Sequence, residues 1–195
     1  MIRAIVFDCF GVFYADPVFA YMHDPSTPLD KAGALHQLDI QAAHGNISKS
    51  AFVKQASVLL GLPTKEIQQR FFEGTARNQQ LINFAQELRS KYKIALLSNI
   101  GGDMMGGFFD LSEQEKLFDT VVLSGNVGIA KPDPKIFELV CRRLGVSLEE
   151  AVMVDDVLDY IAAARKLGMQ GICYEEFDQF KAELVAIIEC SERST

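Results

Sequence analysis

Asp8 interrupts the apolar run "AIVFDCFGVF" (4–13), and other polar residues stand at the ends of similar runs. Ser98 and Asn99 follow "KIALL" (93–97), Lys131 lies in "GIAKPDP" after "TVVLS" (120–124), and Asp155 and Asp156 follow "AVMV" (151–154). A lone carboxylate at the end of a buried segment is costly unless it meets water or a cation. Two acids from different segments can chelate a hard divalent cation such as Mg²⁺, which keeps several waters and takes only one or two protein carboxylates. Lys131 adds a compact positive charge, and Ser98 and Asn99 add hydrogen-bond donors. The set could hold a phosphate group between cations and a carboxylate nucleophile.

The elements that must position these residues are legible from pattern. "IRAIVF" (2–7), the three later runs and "QGICY" (170–174) are short, rich in Val, Ile and Leu, and read as strands covered on both faces. Helical patterns lie between the later strands. In "DPKIFELVCRRLG" (133–145), Asp133 is the expected N-cap, Pro134 opens the helix and Gly145 ends it. Residues 158–168 and 177–190 supply two more helices, and Ser147 with Glu150 has capping-box spacing around a single turn. Alternating strand and helix from about residue 77 implies right-handed crossovers and a parallel sheet. The stretch between Val12 and Gly74 holds no comparable strand; residues 30–44, 48–61 and 64–73 favour helix. The expected organisation is therefore an α/β core from 1–14 and 76–195, with a helical insert over 15–75. Ligands of parallel sheets bind beyond the carboxyl ends of the strands, where the polar residues above fall.

The chain of 195 residues carries a formal charge of −7 and no Trp, so nothing in its charge favours nucleic acid or an anionic membrane. Its apolar runs are short of a membrane span, residues 1–30 lack a secretion-signal pattern, and the expected address is the cytoplasm. Cys9, Cys141, Cys173 and Cys190 are scattered, without metal-site or disulfide spacing, and are expected to be mostly buried thiols. The stretch "GGDMMGGFFD" (101–110) reads either as a mobile lip over the site or as a plain loop.

The ordered set Asp8, Ser98-Asn99, Lys131-Pro132-Asp133 and Asp155-Asp156 resembles the four motifs of the haloacid dehalogenase superfamily, over nearly the whole chain. The resemblance implies a Rossmann-like core with a helical cap after the first strand. It implies Asp8 as the nucleophile that forms an aspartyl intermediate, Ser98 as the phosphate-binding hydroxyl, and Lys131 as the charge steadying both. It further implies Asp156 and the Phe10 carbonyl as Mg²⁺ ligands beside Asp8; Asp155 is a candidate supporting residue next to the metal.

Two positions depart from the pattern. Phosphatases of the superfamily resemble D-x-D at the first motif, the second Asp moving protons; here the sequence reads Asp8-Cys9-Phe10, and phenylalanine moves none. The second acid or Asn of the fourth motif aligns with Tyr160, while Asp159 lies one position early, a rotation of about 100° along a helix. The leading expectation is a Mg²⁺-dependent hydrolase of a small phosphorylated metabolite. A metal-free dehalogenase is the alternative, since such enzymes carry an aromatic residue where Phe10 stands, although they resemble Ser-Ser-Asn rather than adjacent acids at the fourth motif. A third reading is a phosphate-binding or regulatory protein of impaired turnover.

Overall fold

The computed structural model describes residues 1–193. Five strands, β1 (Ala4–Phe7), β2 (Lys93–Ser98), β3 (Thr120–Leu123), β4 (Ala151–Asp155) and β5 (Gln170–Cys173), form one sheet in the order β3-β2-β1-β4-β5. All four pairings are parallel. The fold is the expected Rossmann-like α/β arrangement. Strand alternation divides the core: Ile5 and Phe7 point to one face, Ala4 and Val6 to the other.

Helices α1 (Pro17–Met22), α2 (Leu29–Ala43), α3 (Lys49–Leu60) and α4 (Thr64–Gln68) follow β1, and α5 (Gln79–Leu88) precedes β2. Beyond β2 come α6 (Leu111–Leu117), α7 (Ser124–Val127), α8 (Pro134–Leu144), α9 (Leu158–Lys166) and α10 (Phe177–Arg193). The face of Ala4 and Val6 is covered by Ile136, Phe137 and Val140 of α8 and by Ile161 and Ala164 of α9. The opposite face is covered by Leu81 and Ala85 of α5 and by Phe180 and Leu184 of α10. Helix α8 begins as its sequence directs: the Asp133 side chain accepts from Lys135 N at 2.9 Å, Pro134 occupies the first turn, and Gly145 ends the helix in the left-handed conformation. The Glu150 carboxylate accepts the Ser147 N–H at 2.9 Å around a single turn.

Residues 64–73 do not continue as one α-helix. The chain widens into a π-turn over Gln69–Glu73 and buries the adjacent Phe71 and Phe72 together.

Helix α2 docks on the sheet end by backbone approach. The Ser124 hydroxyl donates to the Ala43 carbonyl, and Gly45, Gly101 and Gly125 lie in mutual contact. A Cβ on Gly45 would fall 2.4 Å from the Gly125 carbonyl oxygen, and one on Gly125 would fall 2.8 Å from Gly101 Cα. The glycine-rich stretch 101–110 is packed rather than a free lip: Met104, Met105, Phe108 and Phe109 are buried, and Asp110 caps α6. Gly101 and Gly102 answer to close neighbours, the Ala42 carbonyl and the Asn126 side chain. The cysteines divide evenly, Cys9 and Cys141 being buried, Cys173 half-buried and Cys190 exposed. Among the described residues, no helix is long and apolar enough to cross a membrane.

Candidate active site

The strand ends bring together the residues singled out by sequence. The Asp8 N–H donates to the Val154 carbonyl at 2.9 Å, which fixes the end of β1 against β4 and sets Asp8 beside Asp155 and Asp156. One carboxylate oxygen from each of the three acids lies within 4.8 Å of the others. Lys131, 3% exposed, reaches between them: its Nζ is 2.5 Å from Asp155 Oδ2 and 2.9 Å from Asp8 Oδ1. The buried carboxylate at the end of β1 thus meets a buried cation.

Asp155 has both oxygens engaged, Oδ1 accepting the Val157 N–H at 2.9 Å and Oδ2 receiving Lys131. It holds the lysine. Asn99 holds the lysine's backbone in a reciprocal pair, its Nδ2 donating to the Lys131 carbonyl at 2.9 Å and its Oδ1 accepting the Lys131 N–H at 2.8 Å. Tyr160, at the position where the resemblance implied an acid, lays its ring 5.1 Å from Lys131 Nζ and sets its hydroxyl 3.4 Å from Asn99 Nδ2. It shields the cation from above. Asp159 is exposed on the surface.

Burial raises the Asp8 carboxyl to about 7; Lys131 works against that rise and Asp155 adds to it. The two carboxylates hold the Lys131 ammonium above its ordinary value despite its burial. Desolvation, with the Asp155 charge behind it, raises Asp156 to about 6 although its side chain opens to solvent. Three acids gathered around one lysine make a site short of positive charge. The donor set fits a hard divalent ion, being made of oxygens only. The turn after β1 closes on the Cys9 and Tyr14 carbonyls and leaves the Phe10 carbonyl outside that ring of hydrogen bonds.

Two local features build this geometry. Gly11 adopts φ +74°, and a Cβ there would lie 2.0 Å from Asp156 Oδ2, so only glycine lets the Asp156 carboxylate close on the β1 turn. Among the described residues, the Ser98 hydroxyl, fully buried at the end of β2, has no hydrogen-bond partner. A buried orphan hydroxyl calls for a ligand or water.

A small pocket of about 70 Å³ opens beside this cluster, between the strand ends and the helices after β1. Phe10, Phe52, Phe71, Phe72 and Phe108 line it, and the Phe10 ring packs edge-on against Phe108 at 4.7 Å between centroids. Asn99, Asp16 and Asp39 are the polar side chains on its wall. The two acids were not anticipated from sequence. A signal existed: in α2, Asp39 stands in step with Leu35, Leu38, Ala42 and Ala43, the residues the helix buries. The three histidines play no visible part in the pocket: His23 and His44 bond carbonyls of their own helices, and His36 is exposed.

A parallel sheet with an acid-and-lysine cluster at its carboxyl ends defines a class of α/β hydrolase. Residues 2–168 match the family model described as haloacid dehalogenase-like hydrolase, and the chain belongs to that family. It is 25% identical over 195 residues to the sesquiterpene phosphatase astK of Aspergillus oryzae, covering 96% of this chain and 97% of that protein. It is also 25% identical to the drimenol cyclase drtB of Aspergillus calidoustus over 96% of its own length, but spans only 37% of that longer protein. Among solved structures, a HAD family enzyme of Bacteroides thetaiotaomicron in complex with magnesium and inorganic phosphate superposes with a TM-score of 0.73 at 20% identity, over 92% of this chain and 99% of that one. That likeness is one of fold.

Proposed function

We propose that this hydrolase is a Mg²⁺-dependent phosphatase that cleaves a small phosphorylated metabolite through an aspartyl-phosphate on Asp8. The carrying observation is the convergence of Asp8, Asp155 and Asp156 around buried Lys131, next to the partnerless Ser98 hydroxyl. In this reading Asp8, Asp156 and the Phe10 carbonyl would hold the ion, which would supply positive charge to the phosphoryl oxygens. Asp8 attacks phosphorus. Lys131 opposes the rise that burial gives Asp8, orients it and offers its charge to the phosphoryl group, Ser98 donates to a phosphoryl oxygen, and Asn99 and Asp155 hold Lys131 in place. Residues 15–75 act as the cap, and the organic part of the substrate occupies the phenylalanine-lined pocket. An apolar leaving alcohol suits those walls, in line with the sesquiterpene phosphatase among the relatives.

The test is turnover of p-nitrophenyl phosphate, whose leaving group needs little protonation. Expected are activity that requires Mg²⁺, loss on chelation, and loss in Asp8→Asn with the fold checked by circular dichroism. Metal-independent release of halide from a 2-haloacid, without phosphatase activity, would replace this reading with the dehalogenase one. Phosphate binding without either turnover would support the regulatory one.

A further inference from the structure

The phosphatase reading leaves a step without an actor, because Phe10 occupies the position expected to carry protons and its ring is packed against Phe108. Three polar side chains share the pocket wall with Phe10. The Asn99 amide is committed to the Lys131 backbone. An Asp16 oxygen caps α1 by accepting the Phe19 N–H at 2.8 Å. The Asp39 carboxyl has no hydrogen-bond or ion-pair partner among the described residues. We propose that Asp39, projecting from α2 into this pocket, is the proton donor and acceptor of the reaction in place of residue 10.

The inference rests on the phosphatase reading and deepens it. Phe10 and Asn99, which follow Asp8 and Ser98 closely in the chain, line the same pocket as Asp39, so in this proposal a phosphoester on Asp8 extends its organic part past them toward the Asp39 wall. When Asp8 attacks phosphorus, the bond from phosphorus to the ester oxygen breaks. Its electron pair goes to that oxygen, which takes the proton of the Asp39 carboxyl and leaves as an alcohol. The Asp39 carboxylate then removes a proton from water as the water attacks the aspartyl-phosphate. The bond from phosphorus to Asp8 breaks, releasing phosphate and restoring both carboxyl groups. The position is firm, because Asp39 lies one turn before the end of α2, where Ala43 and Gly45 are locked to Ser124 and Gly125.

Burial, and behind it the charge of Asp16, raise Asp39 to about 7, so it holds its proton near neutral pH yet can give it up. The groups around it are few. Asp16 faces it from the start of α1, itself raised by burial against two backbone N–H groups, and His23 at the end of α1 acts on Asp16. No lysine, arginine or histidine lines the pocket.

The experiment compares p-nitrophenyl phosphate with butyl phosphate, whose alcohol must be protonated to leave. In Asp39→Asn, butyl phosphate turnover is expected to fall by about 10²–10⁴-fold, the span typical of a lost acid-base group. Turnover of p-nitrophenyl phosphate is expected to fall as well, but with a rapid first burst of p-nitrophenolate and an accumulating aspartyl-phosphate visible by mass spectrometry. Wild-type turnover of butyl phosphate in the variant, or equal loss of both substrates without a burst in a folded variant, overturns the proposal. In Asp16→Asn, which keeps a capping side chain, the alkaline fall of the butyl phosphate profile is expected to move to lower pH; an unmoved limb overturns it too. Absence of p-nitrophenyl phosphate turnover in the wild-type enzyme would instead remove the underlying phosphatase reading.

Discussion

Asp8, Asp155 and Asp156 stand at the strand ends around Lys131, whereas Asp16 and Asp39 stand on the helical side of the adjoining pocket, on a wall without a base. The first group is compensated by a lysine that two carboxylates hold within 2.9 Å, and by a backbone N–H on Asp155. The second meets two backbone N–H groups, at Asp16, and five phenylalanines. Equal residue types therefore acquire different chemistry. Beside the strand ends Lys131 works against the burial of Asp8 and orients it for attack or for ligating an ion, whereas Asp39 has no cation to oppose its burial and is fit to carry a proton. The division mirrors what phosphoester hydrolysis requires, with Phe10 marking the boundary.

The largest expected effect comes from breaking the compensated side. Lys131→Met leaves Asp8 and Asp155 buried without their cation, and loss of one partner from a buried charge pair costs about 3–5 kcal/mol. Urea denaturation at pH 7 should show a drop of that size together with loss of p-nitrophenyl phosphate turnover. The deficit should shrink at low pH, where the abandoned carboxyls take up protons. An equal deficit at pH 4 and pH 7 would mean that the lysine contributes packing, and the contrast between the two acid groups would lose its basis.

A smaller effect is expected at Gly11. Alanine there incurs about 1–2 kcal/mol for the left-handed backbone and drives the Asp156 carboxylate away from the β1 turn. Activity should then need more Mg²⁺, with the half-saturating concentration rising at least about tenfold, in the range by which disturbed metal surroundings weaken binding. An unchanged Mg²⁺ requirement would place the ion away from Asp156.

The two acid groups also differ in how far the sequence revealed them. All five strands were legible, because short runs of Val, Ile and Leu between turn residues have no other stable use in a chain this size. Helix α8 was legible from its Asp, Pro and Gly punctuation. Asp8, Ser98, Lys131 and the Asp155-Asp156 pair stood out because strand ends are where a parallel sheet exposes polar side chains. Asp39 did not stand out, since one acid within an amphipathic helix looks like any solvated residue until its neighbours Leu38 and Ala42 are seen to be buried. The short helices α1 and α6 carry too little periodicity to declare themselves. Residues 101–110 left a mobile lip and a plain loop both open, because glycine signals freedom in a sequence; in the structure backbone and the Asn126 side chain lie close against Gly101 and Gly102. The π-turn that buries Phe71 beside Phe72 left no sequence mark distinct from a helix.

The smallest expected effect concerns stability on the uncompensated side. An acid whose folded pKa is raised binds more protons in the native state than in the unfolded chain. Stability therefore falls as pH rises between the two values, here from the ordinary 3.8 to about 7, and stays reduced above. Replacing Asp39 with Asn removes that loss. The variant and the wild type should diverge across this window, the variant becoming the more stable by on the order of 1 kcal/mol at pH 8, as follows from leaving a charge in an apolar wall. Thermal melts of both proteins from pH 4 to pH 8 give the comparison directly. A variant that is more stable above pH 7 yet poorer on butyl phosphate would show a residue kept for chemistry at a cost in folding, as functional groups often are. Parallel curves would indicate that Asp39 is solvated and ordinary, and the asymmetry between the two groups of acids would then reduce to the lysine alone.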